Sequence, residues 1–156
     1  MLRRFFDRGG WWVVAQVLLL ALVLAAPLAM HGSDSWNWPP HFLLGRMVEV
    51  IGGTLCFLGI MSLGSSLTPL PYPRQEAKLK QDGVFRWVRH PIYGGIVIVT
   101  LGFGLASNSP LMMISAIIVL VFFRTKAARE EIWLRERYPE YESYSRRTRM
   151  LIPGLY

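Results

Sequence analysis

Three short stretches of this 156-residue chain carry side chains able to do chemistry: RHPIY at 89–93, GFG at 102–104 and REE at 129–131. In the first, Pro91 suits the first position of a helix. The amides of Ile92, Tyr93 and Gly94 would then point out of the helix start, where they and Arg89 can hold an anion. The same residues also read as an ordinary basic stop in front of an apolar helix. Gly102 and Gly104 allow either a ligand or a second helix to approach the backbone closely. Glu130 and Glu131 are adjacent, so on a helix they diverge by about 100°. One carboxylate can face a pocket while the other meets an arginine; a solvated charged face fits the same pattern.

Other candidates carry less. Arg46 and Glu49 lie three residues apart on one helix face within an apolar run. Arg46 can reach outward, whereas Glu49 is deeper and needs a partner, either Arg46 itself or a substrate or proton. Cys56 is the only cysteine, which excludes an intrachain disulfide and a cysteine metal centre. His31 and His41 are expected in the outer loop, without a carboxylate or cysteine cluster beside them, so no metal site is expected.

Elements that could position these residues follow from the apolar runs. With 53% hydrophobic residues and a formal charge of +7, the composition favours one membrane domain over residues 1–156. The charge sits beside apolar runs, which suits anionic headgroups and membrane orientation rather than nucleic acid. Four spans are expected, at 11–30, 42–63, 91–107 and 110–123, the last two forming a tight hairpin across Asn108 and Ser109. The first is about 20 residues, long for a signal-peptide core and right for a retained span.

Basic residues cluster before the first span (Arg3, Arg4, Arg8), in the middle loop (Arg74, Lys78, Lys80, Arg86, Arg89) and from Arg124 onward. The positive-inside rule therefore places both termini and the middle loop in the cytoplasm, with Trp36 and Trp38 at the outer interface. The fold class expected is an all-α integral membrane protein with a cytoplasmic amphipathic helical tail. Pro139 should break that tail into two helices.

Taken in order, TPLPYPRQEAKLKQDGVFRWVRHPIYGG, LGFG and REEIWLRERYPEYESYSRRTRMLIP resemble the isoprenylcysteine carboxyl methyltransferase and phospholipid methyltransferase superfamily of membrane enzymes. The resemblance covers roughly residues 64–153. It implies an S-adenosylmethionine site facing the cytoplasm and methyl transfer to a lipophilic or membrane-associated acceptor. Carried over by position, Arg89, His90, Pro91 and Tyr93 match the cofactor-pocket block. Gly102 and Gly104 match the glycine pair assigned to the cofactor, and Glu130 and Glu131 the paired glutamates. Tyr138, Tyr141 and Tyr144 match the aromatic tail pattern, with Ile152 and Pro153 closing it.

Arg89 and Glu131 are the expected catalytic residues, and their loss is expected to weaken cofactor binding more than folding. Methyl transfer is an in-line displacement, so alignment and exclusion of water can supply much of the rate without a protein nucleophile. A carboxylate or thiolate acceptor needs no base, while an ammonium must first lose a proton. Two other functions fit parts of the pattern. Membrane sterol reductases carry a similar arginine, histidine, proline and tyrosine block but use NADPH, and a non-enzymatic membrane subunit would bind neither nucleotide. The adjacent glutamates and the small number of spans favour the methyltransferase.

Overall fold

A computed structural model describes residues 6, 9–29, 40–64, 67, 70 and 79–154. Trp36, Trp38, His31, Arg74, Lys78 and the basic residues Arg3, Arg4 and Arg8 lie outside the described residues. Among the described residues five α-helices follow one another: α1 (Gly10–Ala29), α2 (Pro40–Leu63), α3 (Pro91–Ala106), α4 (Pro110–Arg137) and α5 (Tyr141–Arg147). A 3-10 turn, Gly83–Arg86, precedes α3. Among the described residues no strand forms, and one isolated parallel bridge joins Val88 to Arg149.

Prolines open three of the helices. Pro91 and Pro110 occupy first-turn positions of α3 and α4, where the missing N–H costs nothing and the fixed φ suits the helix. Ser109 caps α4 by accepting from the Met112 amide at 3.4 Å, and Asn108 takes φ 47° to close the hairpin. His41, expected in a loop, stands in the first turn of α2. A larger difference concerns α4. The expected span at 110–123 and the first tail helix are one continuous rod to Arg137, because Ala127, Arg129, Glu130 and Glu131 are good helix formers that extend it past the apolar stretch. The rod ends ahead of Pro139, and α5 begins at Tyr141.

By length and composition, α2 and α4 are long and apolar enough to cross a membrane. The apolar helical stretches Gly10–Ala25 and Pro91–Ala106 are shorter. Large apolar side chains stand outward along the helices, among them Leu22, Val50, Phe57 and Ile117. Such a surface suits hydrocarbon rather than water. Inside, Val97 of α3 and Val119 and Phe123 of α4 form a buried cluster joined by Leu19, Leu20 and Val23 of α1.

The α2–α3 seam is a close contact of two helices. Gly45, Gly52 and Gly59 recur every seven residues, close to two helical turns, so they share one face of α2. A Cβ on Gly52 would lie 2.7 Å from the Val99 amide nitrogen and 2.8 Å from the Gly95 carbonyl oxygen. One on Gly95 would lie 2.6 Å from the Gly52 carbonyl oxygen, and one on Gly102 2.6 Å from the Glu49 nitrogen. These are backbone-to-backbone contacts. Hydrocarbon gives no hydrophobic drive between apolar helices, and small residues supply dispersion by letting the backbones meet. Replacing Gly52 with valine should therefore force the helices apart and cost about 1–3 kcal/mol or more. A lowered melting temperature in detergent, with helix content retained, is the expected result.

Candidate active site

The site is assembled where the start of α3, the charged end of α4 and the tail after α5 meet. Arg89 and His90 immediately precede α3, and His90 is its N-cap residue. Their backbone pairs with the tail: the Arg89 amide donates to the Arg149 carbonyl at 2.8 Å and the His90 amide to the Met150 carbonyl at 2.9 Å. In return the Arg149 amide donates to the Trp87 carbonyl at 3.0 Å. Gly94 permits this strap, because a Cβ there would run into the Leu151 carbonyl. Tyr144 adds a bond from its hydroxyl to the Phe85 carbonyl at 2.7 Å.

Side chains complete the junction. Arg89 Nε donates to Glu131 Oε1 at 2.7 Å. Its Nη1 donates to the Ser145 carbonyl at 2.8 Å and also to the carbonyl and hydroxyl of Thr148. Glu131 Oε2 accepts from Arg135 Nη2 at 3.2 Å, one turn further along α4. The Arg89 and Glu131 side chains are only 11% and 3% exposed, so each depends on the other for the solvation that water no longer gives. An external anion can reach Arg89 only at Nη2, since its other nitrogens are committed within the protein.

Glu130 has a different role. Its Oε2 accepts from the Tyr93 hydroxyl at 3.0 Å, and its side chain keeps 22% exposure. His90 stands between the two carboxylates. Its Nδ1 is 3.9 Å from Glu130 Oε2 and its Nε2 3.4 Å from Glu131 Oε1. The imidazole stacks parallel to Tyr93 with centroids 5.4 Å apart, and its Nε2 is buried without a hydrogen-bond partner. In the tail, burial raises the Tyr144 phenol above its ordinary range, and burial together with the Glu131 charge raises that of Tyr141. Both phenols thus stay neutral beside the ion pair.

Of the residues expected from sequence, Arg89, His90, Pro91, Tyr93, Glu130 and Glu131 come together. Gly102 and Gly104 do not join them. They lie about 16–20 Å further along α3 by helical rise, Gly102 against Glu49 of α2 and Gly104 against Met113 of α4. Glu49 pairs with Arg46 at 2.6 Å. The sequence reading missed Thr148, Ser145 and Leu151, which act largely through backbone atoms. It also missed Gln16, whose signal was available as the one polar side chain in WWVVAQVLLL.

This arrangement of apolar helices with a charged junction at one end meets a matching family. The phospholipid methyltransferase family model matches residues 40–141. A probable protein-S-isoprenylcysteine O-methyltransferase of Oryza sativa subsp. indica is 30% identical over 114 residues, covering 70% of this chain and 60% of the relative. Protein-S-isoprenylcysteine O-methyltransferase B of Arabidopsis thaliana is 30% identical over 146 residues, 91% of this chain and 73% of the relative. The nickel-cobalt-cadmium resistance protein NccN of Alcaligenes xylosoxydans xylosoxydans is 27% identical over 152 residues, 94% and 64% of the two chains. The chain belongs to the phospholipid methyltransferase family. It spans about 60% of the length of the rice relative.

The Arg89 contacts give it a structural role beside the cofactor role expected from sequence. Arg89→Ala would leave the Glu131 carboxylate buried without its closest partner and remove the donor to two tail carbonyls. A destabilisation of about 3–5 kcal/mol is expected. Amide exchange should rise over residues 141–154 in particular, and Arg89→Lys should recover only part of the loss, because an ammonium cannot reproduce the guanidinium fork.

Proposed function

We propose that this chain is an S-adenosylmethionine-dependent methyltransferase acting on a lipophilic or membrane-associated acceptor. The observation that carries the reading is the division between the paired glutamates. Glu131 is locked to Arg89 and Arg135, while Glu130 is only partly buried and has one carboxylate oxygen held by Tyr93 beside His90. Family membership supports methyl transfer, and the names of the rice and Arabidopsis relatives support a lipidated acceptor.

The residues present fit the cofactor. Its ammonium or ribose hydroxyls need acceptors, which the Glu130 oxygen not used by Tyr93 can supply. Its carboxylate needs donors, available from Arg89 Nη2 and the Ile92 and Tyr93 amides of α3, which no side chain caps; the Gly94 amide already donates to the His90 carbonyl. Phe85 is buried, whereas Trp87 is 62% exposed and offers the more open face to adenine. When bound, the cofactor supplies an activated methyl group on a sulfonium.

What the chain contributes is alignment and dryness. The Arg89–Glu131 lock and the Val88–Arg149 bridge fix the strap over the start of α3, and the apolar helices beside it exclude water. An acceptor arriving as an ammonium would need a base, for which Glu130 or His90 is in reach of the junction. We assign four membrane spans to α1–α4 and one methyltransferase domain to residues 1–156, with the cofactor part in about 64–153. The basic clusters orient the termini and the cofactor site toward the cytoplasm. The first two spans are where the acceptor would be selected.

Thermal melting of the detergent-solubilised protein tests this reading against its reductase alternative. S-adenosylhomocysteine should raise the melting temperature and NADPH should not. Labelled S-adenosylmethionine incubated with a membrane extract should yield a labelled lipophilic product. Stabilisation by NADPH alone would overturn the assignment, and stabilisation by neither would favour a non-enzymatic subunit.

A further inference from the structure

Lys126 is 1% exposed, an unusual position for an ammonium, which must be compensated wherever water is excluded. It stands on α4 one turn before Glu130, the i,i+4 spacing that places both on one helix face. Its Nζ donates to Gln16 Oε1 of α1 and lies 5.0 Å from the centroid of the Tyr93 ring. That ring is also stacked on Phe123, with centroids 4.9 Å apart, and its hydroxyl donates to Glu130. A connected path therefore runs from Gln16 through Lys126 and Tyr93 to Glu130, with His90 stacked alongside.

We propose that Lys126 is a positioning residue for cofactor binding: held by Gln16 of α1, it fixes Tyr93 and so presents the Glu130 carboxylate to a cationic ligand. The inference rests on the S-adenosylmethionine reading above and goes beyond it, because α1 lies outside the residues 40–141 matched by the family. Two physical effects combine. The ammonium beneath an aromatic ring holds that ring through its quadrupole. Its positive charge beside Glu130 offsets the burial of the carboxylate, while Tyr93 occupies only one of the two carboxylate oxygens. The first helix becomes part of the site through one polar side chain, since Gln16 fixes where the flexible lysine stem ends. Loss of Gln16 would let the ammonium leave the ring without removing its charge.

Calorimetric titration of the solubilised full chain with S-adenosylhomocysteine tests this, using Lys126→Met, Lys126→Arg and Gln16→Leu with circular dichroism melts as the folding control. Lys126→Met should retain a cooperative melt and bind about thirtyfold more weakly, the size of one desolvated cation–π contact. Lys126→Arg should recover most of that loss, because charge and ring contact are kept, and Gln16→Leu should fall between. Affinity of Lys126→Met equal to that of the unsubstituted chain would overturn the proposal. So would equal weakening by Lys126→Met and Lys126→Arg, which marks a packing role indifferent to charge. If Lys126→Met fails to fold, Gln16→Leu decides, and unchanged affinity in it overturns the proposal. Absence of binding by the unsubstituted chain would instead overturn the cofactor reading itself, and the inference with it.

Discussion

A buried arginine–glutamate pair, Arg89 with Glu131, is the contact on which the charged end of this molecule depends. It joins residues 42 positions apart and brings the guanidinium within reach of the Ser145 and Thr148 carbonyls. Two charges removed from water repay their desolvation only when every remaining donor and acceptor is met. Here the tail carbonyls and Arg135 meet all of them but Nη2 of Arg89. The strap at 148–151 is thus tied by charge as well as by backbone bonds, and the first turn of α3 is fixed by the same knot.

From that constraint the inequality of the two glutamates follows. They are neighbours in sequence and point in different directions around α4, so one can be spent on structure while the other stays open. Glu131 is enclosed by arginines, and Glu130 faces Tyr93 and His90. The seam between α2 and α3 obeys a different rule. Gly45, Gly52 and Gly59 let α2 lie against the backbone of α3, which sets the distance between these helices without any polar group. Gly102 belongs to that seam.

Much of the fold was legible in the sequence. Apolar run lengths and the prolines at 91, 110 and 139 marked helix positions to within a few residues, because proline acts on its own backbone and needs no tertiary context. The continuity of α4 was less legible, since a change from apolar to charged composition looked like a change of element although helix propensity did not fall. The grouping of Arg89, His90, Tyr93 and the glutamates was expected. The role of Arg89 was not, because its partners include main-chain carbonyls of the tail, and a carbonyl carries no signature of residue type. Gly102 and Gly104 illustrate the converse difficulty: glycine permits close approach equally by a ligand or a helix, so residue type alone does not name the neighbour. Gln16 stood out by polarity in an apolar run, but its meaning required knowing that α1 passes Lys126.

The division of labour between the glutamates is tested most directly by comparing Glu130→Gln with Glu131→Gln, reading both S-adenosylhomocysteine affinity and amide exchange of residues 141–154. The account predicts that Glu130→Gln binds at least about tenfold more weakly with the tail as protected as in the unsubstituted chain, whereas Glu131→Gln exposes the tail to exchange. Normal binding by Glu130→Gln, or a tail still fully protected in Glu131→Gln, would contradict it.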